Sequence, residues 1–164
     1  MRSISGVKNP DGPADAIIEH PDVRRMLLNQ RAIAEGGRAM VTYASQFADV
    51  YRAGKTEDAK KDAETRLGFC TPILKGFITE LGVEAANHGV QVFGGHGYIK
   101  EWGMEQILRD SRIATLYEGT TGIQALDLVG RKVLMDKFKQ LNAFTGEMLS
   151  FAKGFMPWTA AGKN

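Results

Sequence analysis

The chain has 164 residues, a formal net charge of +2 and 24% charged residues. That length suits one domain with a sizeable core, and so small a charge gives no argument for nucleic-acid binding. No apolar run has the length of a membrane span and no secretory signal pattern is present. The single cysteine, Cys70, excludes an intramolecular disulfide and favours a reducing compartment, so we expect a cytoplasmic location.

The first twenty residues are predicted to form a loop or an extended arm, because glycine and proline recur there. Pro21 then suits the first turn of a long helix, which Gly54 is predicted to end. Apolar residues follow a helical stripe between these two points. Arg24, Arg31 and Arg38 repeat every seven residues on another face, where they either meet phosphates or face solvent.

A second helix is predicted to begin at Thr56 as its N-cap. Oppositely charged residues four apart fit an exposed helix; the pairs are Glu57/Lys61, Lys60/Glu64 and Asp62/Arg66. Pro72 is expected to kink or restart this helix, with Thr71 as the new cap. The helical pattern then continues to Gly94–Gly95.

Three more helices are predicted: about 104–117, from Thr120 through Val133, and about 138–155. No segment alternates as a strand does, so the sequence predicts an all-α fold, an antiparallel up-and-down helical bundle. The predicted organisation is an arm at 1–20, the bundle at 21–135, and an extra helix and tail at 136–164 leading to a further C-terminal extension.

Two local patterns are candidates for chemistry. Tyr117-Glu118-Gly119-Thr120 puts a carboxylate on a tight bend, where it either acts as a general base or caps the next helix. Gly94, Gly95 and Gly97 break a helix and leave backbone N–H groups open to a pyrophosphate. The residues alone favour a helix cap followed by a turn, and the dinucleotide-binding fingerprint is absent.

The order and spacing of four short motifs carry a family resemblance. The motifs are Gln91–Tyr98, Glu105…Arg109-Asp110, Ile113…Thr120 and Ile123-Gln124. Together they resemble the C-terminal helical domain of the FAD-dependent acyl-CoA dehydrogenases, closely over Glu84–Val133 and loosely back to Pro21. The segment Gly95–Gly103 resembles a branch with longer chains, which includes enzymes acting on 3-methylthiopropanoyl-CoA.

The resemblance implies α,β-dehydrogenation of an acyl-CoA thioester. Glu118 would remove the α-proton while the β-hydride leaves to FAD, and the backbone N–H of Glu118 would help to hold the thioester oxygen. Tyr117 would form part of the acyl-pocket wall, and Gly119 would admit the thioester. Glu105, Arg109 and Asp110 match the family too, but are interpreted as structural.

The resemblance also implies cofactor contacts and partners. Gln91, Gly94 and Gly95 would contact the FAD of a neighbouring subunit, and Thr120 matches another FAD contact. Gly122 stands where many relatives carry a longer polar side chain, so that contact is lost. The implied partners are an acyl-CoA substrate, electron-transfer flavoprotein as electron acceptor, and further copies of the chain in a homo-oligomer.

Family members also carry an N-terminal helical domain and a middle β-domain, neither of which occurs in this sequence. We therefore expect the chain to be a fragment of a longer enzyme and to be inactive in isolation. Apolar faces made to pack on absent partners should make it self-associate, notably a stripe on the last helix formed by Phe144, Met148, Phe151, Phe155 and Trp158.

Two other classes of protein were weighed. A ferritin-like di-metal bundle needs Glu-x-x-His pairs, and none of His20, His88 and His96 follows a glutamate by three residues, so no metal site is predicted. A non-catalytic helical oligomerisation or interaction module agrees equally with composition and periodicity. Retention of FAD separates this module from a flavoenzyme domain.

Overall fold

The structure is a computed structural model that describes residues 2–4 and 6–155. Every regular element in these ranges is helical, and no strand occurs in them. The predicted all-α class is confirmed.

The elements follow one another along the chain with short connections. The α-helices are α1 (Pro21–Ala53), α2 (Glu57–Ile73), α3 (Thr79–Phe93), α4 (Met104–Ile113), α5 (Thr121–Leu126) and α6 (Lys139–Phe155). Widened π-helical turns occupy Leu74–Ile78 and Asp127–Met135, and 3₁₀ turns occupy Ile17–Glu19, Gly94–Tyr98 and Lys100–Trp102.

The ends of the first two helices follow the local chemistry of the sequence. α1 begins at Pro21 and ends one residue before Gly54, whose N–H donates to the carbonyl of Val50 at 2.8 Å. The Thr56 hydroxyl accepts the N–H of Ala59 at 3.2 Å, as an N-cap does. All three predicted boundaries are confirmed.

Pro72 behaves differently from the prediction. It is buried inside α2, and the Thr71 hydroxyl donates to the carbonyl of Leu67 at 2.7 Å, so Thr71 lies within the helix and does not cap a new one. The irregularity appears directly afterwards, at Leu74–Ile78, where i→i+5 bonding replaces i→i+4 bonding. The prediction of a restart at Thr71 was therefore wrong.

The ion pairs on the surface of α2 differ in detail from the predicted ones. Asp62 and Arg66 form the predicted i,i+4 pair at 2.9 Å, whereas Lys60 pairs with Glu57, three residues earlier, at 2.8 Å. On α1, Arg31 pairs with Glu35 at 2.8 Å, which fits a solvent-facing stripe.

The chain divides into two compact units. The first contains the residues up to Tyr43 and Leu74–Thr121; the second contains Ala44–Ile73 and the residues from Gly122 onward.

Within the first unit, α3 packs on α4. A Cβ at Gly89 of α3 would lie against the Met104 side chain at the beginning of α4. Lys75, just before α3, reaches the carbonyl of Ala114 at the end of α4. The two helices therefore run antiparallel, as the bundle prediction required for neighbours.

The N-terminal arm belongs to the first unit and is folded around one carboxylate. Asp15 is buried and accepts the backbone N–H groups of Ser3, Lys8 and Asn9 at 2.7, 2.9 and 2.8 Å. The guanidinium of Arg2 lies 3.6 Å from the same carboxylate. The arm is thus a compact loop and not an extended segment.

In the second unit, α2 contacts α6 and the π-helical turn Asp127–Met135. Phe69 packs on Phe144 with ring centroids 5.8 Å apart, and Arg66 pairs with Glu147 at 2.9 Å. Cys70 is buried beside them, and burial raises the pKa of its thiol. A thiol buried in this way is unreactive, because the thiolate is the nucleophile.

Within the described residues, no helix combines the length and apolar character that crossing a membrane requires. The predicted last helix, 138–155, is observed as α6, which begins one residue later and ends at the predicted residue. Trp158, the last residue of its predicted stripe, lies outside the described residues.

Candidate active site

The connection from α4 to α5 carries the Tyr-Glu-Gly-Thr bend. Glu118 has a φ of +53°, in the left-handed region, and Gly119 follows with a φ of +94°. A non-glycine residue with positive φ is uncommon because its Cβ crowds the backbone. Residues held this way cluster at functional sites, where surrounding structure imposes the conformation.

Lys75 holds the first half of this connection. Its ammonium donates to the carbonyl of Ala114, the residue that ends α4. The same nitrogen lies 5.0 Å from the centroid of the Tyr117 ring, within cation–π range. One half-buried side chain therefore contacts two residues just before Glu118.

Glu80 holds the other end of the connection between α4 and α5. The Thr121 hydroxyl, at the start of α5, donates to the Glu80 carboxylate at 2.6 Å. Glu80 lies in the first turn of α3, five residues after Lys75. The bend is thus attached at both ends to one continuous run of helix.

The predicted catalytic and substrate residues lie at the surface of this unit. Glu118 and Thr120 are exposed, Gly119 is half-buried, and Tyr117 has 51% of its surface exposed. Leu116, with 49% exposed, adds to an apolar surface around the carboxylate. Chemistry at this bend would require another surface to exclude water from it.

The glycine turn ends α3. Gly94 has a φ of +62° and donates its N–H to the carbonyl of Gln91. An added Cβ at Gly94 or Gly95 would meet no atom within 4 Å, so the backbone is open on this side. Gln91, Gly94 and Gly95 are all exposed.

The two groups of predicted site residues lie at opposite ends of α3. Glu80 contacts the connection that carries Glu118, and Gly94 lies fourteen residues further along the helix. At 1.5 Å per residue this is a separation of about 20 Å. The structure therefore brings Tyr117–Thr120 together, and Gln91 with Gly94 and Gly95, but does not bring the two groups together.

A cleft of about 720 Å³ extends along α4 between these groups. Its lining includes Tyr98, Leu108, Ile113 and Leu116, together with Glu105 and Arg109. No ion pair of Arg109 is found in the described part of the chain, so its interpretation as a structural ion-pair residue gains no support. The sequence could have indicated that Glu105 and Arg109 line one surface, because residues four apart lie on the same face of a helix.

The histidines show no metal-binding arrangement. His88 Nε2 lies 3.6 Å from a Glu84 carboxylate oxygen, and the His96 ring packs edge-on against Trp102 with centroids 5.1 Å apart. Among residues 2–4 and 6–155, no group of three or more His, Cys, Asp or Glu side chains is placed to hold a metal ion.

Comparison with known proteins decides the family. The family profile described as acyl-CoA dehydrogenase, C-terminal domain, matches residues 2–134. The chain belongs to the acyl-CoA dehydrogenase family. The resemblance drawn from the four motifs is confirmed, and the match includes both the glycine turn and the Glu118 bend.

Individual relatives agree. 3-Methylmercaptopropionyl-CoA dehydrogenase of Ruegeria pomeroyi is 49% identical over 84% of this chain and 23% of its own length. Broad-specificity linear acyl-CoA dehydrogenase FadE5 of Mycobacterium tuberculosis is 38% identical over 90% of this chain and 24% of its own. Caffeyl-CoA reductase-Etf complex subunit CarC of Acetobacterium woodii is 37% identical over 49% of this chain and 20% of its own. The chain spans about a quarter or less of these proteins.

Proposed function

We propose that this acyl-CoA dehydrogenase C-terminal domain supplies the catalytic base of a longer flavoenzyme, which introduces an α,β double bond into an acyl-CoA thioester. The observation that carries the proposal is the left-handed conformation of Glu118 within the Tyr-Glu-Gly-Thr bend. A strained, exposed carboxylate at the family's motif is better explained by chemistry than by helix capping.

The chain's residues divide the proposed reaction as follows. The Glu118 carboxylate takes the α-proton, and its backbone N–H donates to the thioester oxygen, where negative charge develops. Gly119 has no side chain to obstruct the thioester, and Tyr117 forms part of the wall beside the acyl chain. FAD, when bound, would supply the acceptor for the β-hydride, and the electron pair that proton removal leaves on the α-carbon then forms the double bond.

The chain's residues fit a flavin cofactor at the glycine turn. The backbone at Gly94 and Gly95 is open, so a phosphate group can approach without meeting a side chain. The neighbouring Gln91 offers an amide at the same surface. By the family resemblance, this turn would contact the FAD of a neighbouring subunit, and Thr120 would contact the FAD beside Glu118.

The proposed substrate and partners follow the relatives. A short thioether-containing or linear acyl-CoA is the first substrate to try, because the relatives from Ruegeria pomeroyi and Mycobacterium tuberculosis are named for such compounds. The CarC relative belongs to a complex with Etf, which supports electron-transfer flavoprotein as the electron acceptor. Homo-oligomerisation and a cytoplasmic location stay predictions.

The test replaces Glu118 in the complete enzyme. Glu118→Gln keeps the shape of the side chain but removes the base, and general-base catalysis is typically worth about 10²–10⁴-fold. We expect kcat to fall at least that far while bound flavin absorbance is retained. Glu57→Gln, an exposed glutamate in the first turn of α2, is the matched control. Near-normal turnover in Glu118→Gln would reject Glu118 as the base.

The alternative is a non-catalytic helical oligomerisation module, and the many exposed apolar side chains favour it as a second candidate. Purification of the complete protein separates the two proposals. A flavoenzyme is yellow and keeps FAD through gel filtration, whereas a module is colourless and does not respond to added FAD.

A further inference from the structure

We infer that Lys75 and Glu80 are positioning residues that hold the Glu118 bend between them. The inference rests on the proposed role of Glu118 as base. Two side chains each contact residues about forty positions away in sequence: Lys75 contacts Ala114 and Tyr117, and Glu80 contacts Thr121.

The Lys75 contact suits the end of a helix. The last carbonyls of α4 have no partner within the helix, and a cation is favoured at that end by the helix dipole. Lys75 supplies both the donor and the charge at Ala114, the C-cap residue of α4. Its contact with the Tyr117 ring then fixes the residue directly before Glu118.

The widened turn explains how both contacts come from one helix. Residues five apart in an α-helix lie about 140° apart around its axis, so Lys75 and Glu80 would face different directions. Lys75 lies in the π-helical turn Leu74–Ile78. Bonding from i to i+5 widens the turn and therefore reduces that angle.

The two contacts restrain the bend as a unit. Ala114 and Thr121 mark the ends of the connection, and both are held by a run of helix that continues from α2 into α3. The left-handed backbone at Glu118 costs free energy that the surrounding structure supplies. Releasing either end would let Glu118 relax to a common backbone conformation and move its carboxylate.

Hydrogen–deuterium exchange over residues 114–121 tests the restraint in the 164-residue chain. Lys75→Met keeps the length of the side chain without its charge or donor, and exchange should accelerate about tenfold. Lys75→Arg keeps charge, donor and ring contact and should restore slow exchange. Lys61→Met, an exposed lysine of α2, should leave exchange in this segment unchanged.

Kinetics of the complete enzyme distinguish positioning from general stability. A misplaced base should lower kcat about 10²-fold in Lys75→Met, with little change in KM, and Lys75→Arg should recover most of the loss. Unchanged exchange and unchanged kcat in Lys75→Met would overturn the inference. An equal loss in Lys61→Met would overturn it as well.

Two further variants separate the restraint of the bend by Lys75 and Glu80 from the proposed role of Glu118 as the base. If Lys75→Met loses helical circular dichroism, Thr121→Val removes only the hydroxyl that binds Glu80, and unchanged exchange and kcat in that variant reject the inference. Glu118→Gln should keep slow exchange over 114–121 while losing turnover. If it keeps turnover, the proposed base is wrong, whereas the exchange results still decide whether Lys75 and Glu80 restrain the bend.

Discussion

At the scale of single residues, Asp15 shows how one side chain orders a glycine-rich segment. Hydrogen bonds from the N–H groups of Ser3 and Asn9, helped by Lys8 and the charge of Arg2, lower the pKa of Asp15 from 3.8 to about 2, although burial opposes this. Because the folded pKa is the lower one, ionised Asp15 stabilises the arm above about pH 4, and this contribution is lost as the pH falls towards 2.

We predict that the arm loosens in that pH window and in Asp15→Asn at neutral pH. The amide has one acceptor oxygen for three N–H donors and no charge for Arg2. Hydrogen–deuterium exchange of the peptide covering residues 2–16 measures the effect, with Asp11→Asn, an exposed aspartate of the same arm, as control. Equal protection in both variants would contradict the assigned role of Asp15.

The sequence could single out Glu118 because the Tyr-Glu-Gly-Thr motif has a fixed order and spacing within its family. It could not single out Lys75. The contact of Lys75 with Ala114 spans 39 positions and depends on how α3 and α4 pack, and a lone lysine in an apolar run gives no periodic signal of such a contact. The positive φ of Glu118 was not predicted either, because glutamate seldom adopts that conformation.

At the scale of elements, Gly97 is the residue that lets the glycine turn fold back on α3. A Cβ added there would lie 2.9 Å from the Cβ of Phe93 and would collide with the carbonyl of Val90. Backbone atoms cannot move aside without moving the helix. At Gly89 the added Cβ would meet only the flexible end of Met104, 2.7 Å from its methyl group.

We therefore predict that two matched substitutions differ in their effect on stability. Gly97→Ala should lower the free energy of unfolding by about 1–3 kcal/mol through overpacking. Gly89→Ala, in the middle of α3, should cost less or even stabilise, because alanine is favoured over glycine in a helix by up to about 1 kcal/mol. Urea unfolding followed by circular dichroism gives both values. Equal midpoints for the two variants would reject this account.

Helix boundaries were predictable where a residue determines the local backbone, as Pro21, Gly54 and Gly94 do. The prediction was wrong at Pro72 because proline can stay in a helix whose other contacts hold it, and Pro72 is buried. Tertiary packing, which the sequence pattern does not report, decided that α2 continues.

At the scale of the whole molecule, large apolar side chains remain exposed in both units. Examples are Tyr98, with 83% of its surface exposed, in the first unit, and Phe151, with 67%, in the second. Phe144, the first residue of the predicted stripe, instead packs on Phe69, while Met148 and Phe151 remain exposed. Apolar patches of this kind usually mark interfaces.

We predict that the isolated chain self-associates at micromolar concentration. Phe151→Gln should shift the equilibrium towards the monomer, since it removes apolar surface from α6, whereas Lys153→Gln, an exposed polar residue of the same helix, should not. Light scattering coupled to gel filtration measures the mass. A monomer for the unsubstituted chain, or identical behaviour of the two variants, would contradict the prediction.

The π-helical turn at Leu74–Ile78 also has a consequence for chain length. A π turn contains one residue more than the α turn it replaces. Deleting one residue there should convert the widened turn to regular α-helical bonding. Because residues four apart in an α-helix lie on one face, a deletion between Lys75 and Glu80 would still leave these two side chains on the same side of the helix. We therefore expect the loss of one codon between Lys75 and Glu80 to leave the helix, and the contacts that both side chains make with the Glu118 bend, almost intact.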